Sequence, residues 1–215
     1  MKPGSAPGMR DIAGGLWIWR ERHPGWSEGE DWQPVVTSTF VESKGERIVL
    51  DPLAPSYPSK DVLKRLDENP PTSAIVTMPD HVRDIDFFVK RYGVKAYGPM
   101  FLFPDDVPKS RLEPIAADSE LPGGLVPLFD ARGRLETPIW IPGQRVIAFG
   151  DALTERGGEV RVWDSPWHAA REVPALRAML GLPFEAVIIS HCDTDPVHTR
   201  AEFERALELS PWKSR

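Results

Sequence analysis

Three apolar runs of the chain end in side chains able to hold a metal ion. The first is Ala74–Val76, followed by Asp80, His81, Arg83 and Asp84; the second reaches Phe149 and is followed by Gly150 and Asp151; the third, Phe184–Ile189, leads into Ser190, His191, Cys192 and Asp193. Imidazole and carboxylate donors suit Zn²⁺, Mn²⁺ or Fe²⁺, and water on such an ion becomes a nucleophile near neutral pH. A single cysteine, Cys192, excludes an intramolecular disulfide and a thiolate-cluster zinc site, so any metal must be held by His and carboxylate. Cys192 and His191 are neighbours whose side chains diverge on an extended chain, which argues against a Cys–His nucleophile pair. No G-x-S-x-G, G-x-G-x-x-G or P-loop pattern occurs, and Pro122-Gly123-Gly124 is a turn.

Each of these residues also has a purely structural reading. Asp80 would cap a helix whose first turn favours Asp84, Asp151 would be a turn residue, and His191 would be a hydrogen-bonded histidine at a strand end. His168 and His198 lie in loop-like sequence without partner spacing and are expected on the surface. His23, in Arg22-His23-Pro24-Gly25-Trp26, belongs to a polar loop that either packs or lines a pocket beside Trp26 and Trp32.

The elements that position these side chains follow from periodicity. Strands are expected at Leu16–Trp19, Val35–Val41 and Arg47–Leu50, the last two joined by a tip at Lys44-Gly45. Ser59 caps a helix to about Asn69, stopped by Pro70-Pro71. After the strand at Ala74–Val76, Ile85, Phe88 and Val89 mark a helix closed by Gly93, and Val94–Tyr97 is a strand. Gly124–Phe129, Thr137–Ile141 and Arg145–Phe149 read as strands, Arg156–Ser165 as a loop, Ala169–Leu180 as a helix, and Thr199 as the cap of a final helix to about Leu209. Helices interspersed among β-rich blocks imply an α/β fold with more than one sheet layer.

The order strand–Thr77–His81–Asp84–helix, then Gly150-Asp151 after a strand, then Ser190-His191 after a late strand, resembles the metallo-β-lactamase superfamily. Val49–Leu53 (VLDPL) is similar to the strand and acid that lead into that superfamily's site, and the resemblance runs from Val35 to Leu209. It implies a four-layer αββα sandwich of two mixed sheets in one domain over residues 13–215, preceded by a flexible arm over 1–12. It also implies His81, Asp151 and His191 as metal ligands, with Asp84 as a fourth ligand or proton acceptor. The sequence departs from the superfamily's HxHxDH loop. Thr77–Asp84 carries one histidine, Arg83 stands where a ligand would, no histidine lies between His81 and His168, and Glu136 falls near the missing position. A positive charge there repels a second cation or pairs with Asp151 or Asp84.

Two functions therefore stand open. One is a metal-dependent hydrolase of a small ester, thioester, lactone or phosphoester, with at most one Zn, Mn or Fe ion. The other is a ligand- or partner-binding protein without metal or catalysis. The net charge of −6 argues against a nucleic-acid partner, and no apolar run of membrane-spanning length occurs. The expected partners are a small-molecule substrate or ligand and a second copy of the chain; the expected location is the cytoplasm, since the first residues hold no apolar signal core.

Overall fold

In the computed structural model, residues 8–56, 59–116, 119–129 and 135–213 are described. The chain runs β1 (Gly8–Ala13), β2 (Leu16–Arg22), β3 (Val35–Ser43), β4 (Glu46–Leu50), α1 (Lys60–Glu68), β5 (Ser73–Ile75), α2 (Ile85–Tyr92) and β6 (Lys95–Gly98). It continues through β7 (Glu113–Pro114), β8 (Val126–Pro127), β9 (Ile139–Ile141), β10 (Val146–Arg156), β11 (Glu159–Val162), α3 (Val173–Ala178), β12 (Ala186–Cys192), β13 (Val197–Thr199) and α4 (Arg200–Ala206).

Alternation along the strands builds the layers. Trp17, Trp19, Phe40, Val49 and Ala74 face α1 and α2, packing on Val62, Leu66, Ile85 and Phe88. Their neighbours Leu16, Ile18, Val41, Ile48, Leu50 and Ile75 face the other way and meet Ile139, Ile141, Val146, Ala148 and Ile188. The opposite side of that second half, Ile147, Phe149, Val187 and Ile189, packs on Leu176 of α3 and on Phe203 and Ala206 of α4. Because successive strand residues point to opposite faces, each half-sheet is apolar on both sides and must be covered twice, which produces the α–β–β–α layering.

Both halves are mixed. β3 pairs β4 antiparallel while β4, β5 and β6 are parallel, and β10 is parallel to β12 but antiparallel to β9. The two expected sheets are hydrogen-bonded into one, through the pair His191↔Val36. From Thr39 onward β3 is paired with β4, and Val36 pairs with Glu21 of β2 on its other side. That leaves one edge of β3 for β12, so the halves meet where His191 is delivered.

Local chemistry explains the boundaries. Lys44 and Gly45 both have positive φ, 48° and 82°, as a tight hairpin between β3 and β4 requires. Gly93 ends α2 at φ 68° with its N–H donating to Val89 O, and Thr199 and Glu202 form a reciprocal capping box on α4.

Four expectations change. Gly8–Ala13, placed in the flexible arm, is strand β1 paired with β2, and Arg10 makes a two-pronged ion pair to Asp195; residues 1–7 of that arm lie outside the described residues. Arg156–Ser165, expected as a loop, holds a hairpin: β10 runs to Arg156 and turns through Gly157-Gly158 into β11, Glu159–Val162. The helix expected over Ala169–Leu180 is broken into a π turn at His168–Glu172, α3, and a 3₁₀ turn at Met179–Gly181, because Pro174 lacks the N–H that a continuous helix needs. Ser190, His191 and Cys192 lie inside β12 rather than after it. Among the described residues, no helix is long and apolar enough to cross a membrane.

Candidate metal centre

A bulge in β10 creates the position of Asp151. Phe149 pairs with Ile189 and Thr154 with His191, so five residues of β10 advance against two of β12. The extra residues lose their ladder partners, and the buried Glu136 replaces them. Its Oε1 accepts from Gly150 N at 2.7 Å, and its Oε2 accepts from Asp151 N at 2.8 Å and Ala152 N at 2.7 Å. A Cβ at position 150 would lie 2.9 Å from Met78 Sδ and 3.1 Å from Thr77 Oγ1, so any larger residue would have to displace those side chains.

The bulge turns Asp151 toward two imidazoles. Asp151 Oδ1 is 3.2 Å from His81 Nε2 and 3.1 Å from His191 Nε2, and the two Nε2 atoms are 3.3 Å apart. His81 arrives on the loop after β5 and His191 on β12. Behind His81, Asp51 Oδ2 lies 2.9 Å from Nδ1, fixing the ring so that Nε2 faces the cluster. Asp51 is itself held by Thr77, whose backbone N donates to Oδ1 at 2.7 Å and whose Oγ1 donates to Oδ2 at 2.6 Å.

Asp51 and Arg83 both adopt positive φ, 45° and 46°, a left-handed conformation that costs a non-glycine residue roughly 1–2 kcal/mol. Each is held there by the other, because Arg83 Nη1 donates to Asp51 O at 2.7 Å and to Thr37 O at 2.9 Å. Its Nη2 donates to Ser190 Oγ at 2.6 Å. The guanidinium thus ties β3, β4 and β12 together beneath the site.

The electrostatics follow from this packing. Burial and Arg83 push the His81 imidazolium toward losing its proton, but Asp51 and Asp151 outweigh them and raise its pKa to about 10. Asp151 is held well below the carboxylate range by His191 and His81 despite its burial. Burial lowers the pKa of His191 against the pull of Asp151. Asp80, exposed on the cavity wall but crowded by protein on its other sides, is raised by the partial loss of hydration there and by Asp151.

The cluster opens into a cavity of about 470 Å³, bounded by Trp32, Trp163, His23, Asp31 and Asp80. The loop after β2 covers it: His23 meets the Trp32 ring edge-on at 5.1 Å, and Trp32 meets His191 edge-on at 5.6 Å. Two histidines, a carboxylate and an open side facing a cavity are the donor set of a catalytic rather than a structural metal site. The ligand atoms of His81, Asp151 and His191 lie close enough together to hold one ion, and the Asp51 contact supplies the outer hydrogen bond that metal-binding histidines normally make. His191 Nδ1 is buried with no partner among the described residues.

Three of the four residues read from the sequence come together, and Asp84 does not join them. Its Oδ2 accepts from Ala54 N at 2.8 Å, holding the loop that follows β4, and the cavity wall carries Asp80 instead. Neither acid caps α2 with its side chain; Asp84 sits at the cap position without such a bond. Arg83, expected beside Asp151 or Asp84, donates to two carbonyls and a hydroxyl, and it also lines the cavity. His198 is not a surface residue: it is 4% exposed on β13, with Nδ1 3.4 Å from Glu202 Oε1. His168 is half-buried, 3.8 Å from Glu172. Cys192 is buried, and burial raises its thiol to about 12, too high for a nucleophile. The sequence marked Asp51 only as the acid of the Val49–Leu53 run leading into the site and Glu136 only as a residue near the missing histidine position; that Asp51 backs His81 and that Glu136 holds the β10 bulge came from the fold. For that role of Glu136 no local signal exists.

No protein-family profile and no curated protein matches the chain. Solved structures do. The metallo-β-lactamase FIM-1 from Pseudomonas aeruginosa, in a mono-zinc form, superimposes with a TM-score of 0.70 at 17% identity over 96% of each chain. A metallo-β-lactamase from Pontibacter korlensis gives 0.68 at 18% identity, covering 95% of this chain and 98% of its own. One from Hirschia baltica gives 0.68 at 14% identity, covering 94% and 96%. With the four layers and the cluster at the junction of the two half-sheets, these likenesses establish that the chain adopts the metallo-β-lactamase fold.

Proposed function

We propose that the protein is a hydrolase with a single divalent ion, Zn, Mn or Fe, held by His81 Nε2, His191 Nε2 and Asp151 Oδ1, and that it cleaves a small ester, thioester, lactone or phosphoester. The observation that carries this reading is the convergence of those three atoms, each 3.1–3.3 Å from the others, at the floor of an open cavity. A bound ion supplies Lewis acidity and activates water for attack. The chain's own residues do the rest. Asp51 holds the His81 tautomer, Glu136 holds the backbone of Asp151, and Trp32 shields the His191 side from solvent. The proton-acceptor role expected of Asp84 falls to Asp80, whose carboxylate borders the cavity next to Asp151. Arg83 places a fixed positive charge beneath the site, which favours one ion over two.

A second reading is a binding protein without metal. It is favoured by the way the cluster satisfies itself, His81 bridging Asp51 and Asp151 as an ion-paired imidazolium. Metal analysis by mass spectrometry of protein purified without chelator separates the two. Close to one equivalent of Zn, Mn or Fe, lost in His81→Ala and in Asp151→Asn, supports the hydrolase and directs an ester and phosphoester screen. Metal far below stoichiometry, unchanged in the variants and not restored by added Zn²⁺ or Mn²⁺, overturns it.

A further inference from the structure

We infer that the protein self-associates across a two-fold axis at Val107, the segment between β6 and β7 of one copy docking on the same segment of a second copy. The inference is independent of the metal centre and of the hydrolase reading.

This segment concentrates exposed apolar side chains. Met100, Phe101, Phe103 and Val107 are four of the eight large apolar residues left exposed among the described residues, and Val107 is 61% exposed. Apolar surface gathered in one place and rimmed by charge marks a contact with another molecule. The segment is also held firmly from below. Leu102 and Leu112 pack on the helix-facing core that contains Phe88. Asp86 of α2 accepts from Ser110 N at 2.7 Å and from Lys109 N at 2.9 Å, and Asp106 N donates to Phe103 O at 3.0 Å. Phe101 and Phe103 meet edge-on at 5.5 Å. The outer side chains thus stand on a fixed platform, and little ordering cost opposes docking.

The order of residues on that platform selects the partner. Phe103, Asp105, Val107, Lys109 and Arg111 are exposed, while Leu102, Asp106, Pro108, Ser110 and Leu112 are half-buried. About Val107 the exposed row is opposite in kind on its two sides: an acid two positions before and a base two positions after, then a ring four before and a guanidinium four after. In a two-fold contact, residue i meets j and j meets i. An axis at Val107 therefore sets Asp105 against the partner's Lys109 and Phe103 against the partner's Arg111, each pair occurring twice. Neither the Asp105 carboxylate nor Lys109 Nζ makes a hydrogen bond or ion pair among the described residues, and Arg111 pairs with Glu113 at 3.4 Å while staying 84% exposed. A uniformly acidic or basic partner would meet one like charge for each opposite one, and a bilayer would bury both charges. A surface with the same alternation, which a second copy has, satisfies both. The contact is small, so the dimer is weak and concentration-dependent.

Sedimentation equilibrium of the full chain, from micromolar to millimolar concentration in low salt, tests this. The mass should rise from 24.1 kDa towards twice that value. Val107→Glu, which sets two like charges at the axis, should leave a monomer. Asp105→Lys and Lys109→Asp should each weaken association by about tenfold, and the double reversal should restore it, because every acid again meets a base. All three side chains are exposed, so thermal melting should be unchanged in each variant. A monomer at every concentration overturns the proposal. So does a dimer that Val107→Glu leaves intact, or a double reversal no tighter than either single one. Capture of the monomer by phosphatidylcholine vesicles, lost in Val107→Glu, would make the segment a membrane face and equally overturn it.

Discussion

Asp51 Oδ2 lies 2.9 Å from Nδ1 of His81, on the edge of the ring opposite the Nε2 that faces Asp151 and His191. The imidazole is therefore gripped from behind by a buried carboxylate and presents one nitrogen only to the cluster. Asp51 reaches this position because its backbone is held in a left-handed conformation, where its N–H still donates to Ile75 O at 2.9 Å.

That contact gives the first expectation. Asp51→Asn keeps the shape but loses the charge that orients and polarises His81. Metal affinity should fall about 10–100-fold, as for other outer hydrogen-bond partners of metal-binding histidines. Competition against a chromophoric chelator measures it, and an unchanged affinity would show that Asp51 has no part in the site.

Glu136 accepts three backbone N–H bonds from consecutive residues of the bulge. Replacing it by Gln puts an NH₂ against at least one of those donors. The expected loss is about 2–4 kcal/mol, the cost of breaking buried charge-assisted bonds. Urea denaturation reads this directly; a change below about 0.5 kcal/mol, the scatter of surface substitutions, would mean the bulge is held by other contacts.

Gly150→Ala should also destabilise, by roughly 1–3 kcal/mol, because the new methyl presses on Met78 and Thr77 in a packed interior. Thr77 holds Asp51, so the displacement should reach His81 and lower metal occupancy as well. A variant that melts and binds metal like the parent would show that the β5 loop yields freely.

The metal-free protein should have a distinctive alkaline limit. His81 has a folded-state pKa raised to about 10, above the ~6.5 of an unfolded histidine. The native state therefore holds a proton that the unfolded chain has released. This stabilisation is fully present below pH 6.5 and is lost as pH rises through about 10. Chemical denaturation at pH 6.5, 8 and 10 should show falling stability, with a shallower slope in His81→Gln. Identical slopes in the two proteins would place the proton elsewhere.

Periodicity in the sequence determined most of the layered fold. Leu16–Trp19, Val35–Val41 and Ile48–Leu50 alternate between two apolar faces, and a strand apolar on both sides has to be covered by helices on one and by a second sheet on the other. Asp151 and His191 were legible as side chains that follow apolar runs, whereas the loop of His81, with a single histidine, left its register against the family motif open. Residues whose roles depend on distant backbone were not legible. Glu136 acts on amides 14 to 16 positions away, exposed by a bulge that exists only because β10 pairs with β12 out of step. Asp84 and Asp80 are both acids at the start of one helix, and local sequence ranks them alike. Only the fold of the loop after β4, whose Ala54 N–H claims Asp84, leaves Asp80 to the cavity. His23 shows the same division: its place in a polar loop was evident, but its position on the cavity wall was decided by how that loop packs Trp32 against His191. Short-range pattern determines what each segment can be, and long-range packing determines which of its polar atoms remain free to act.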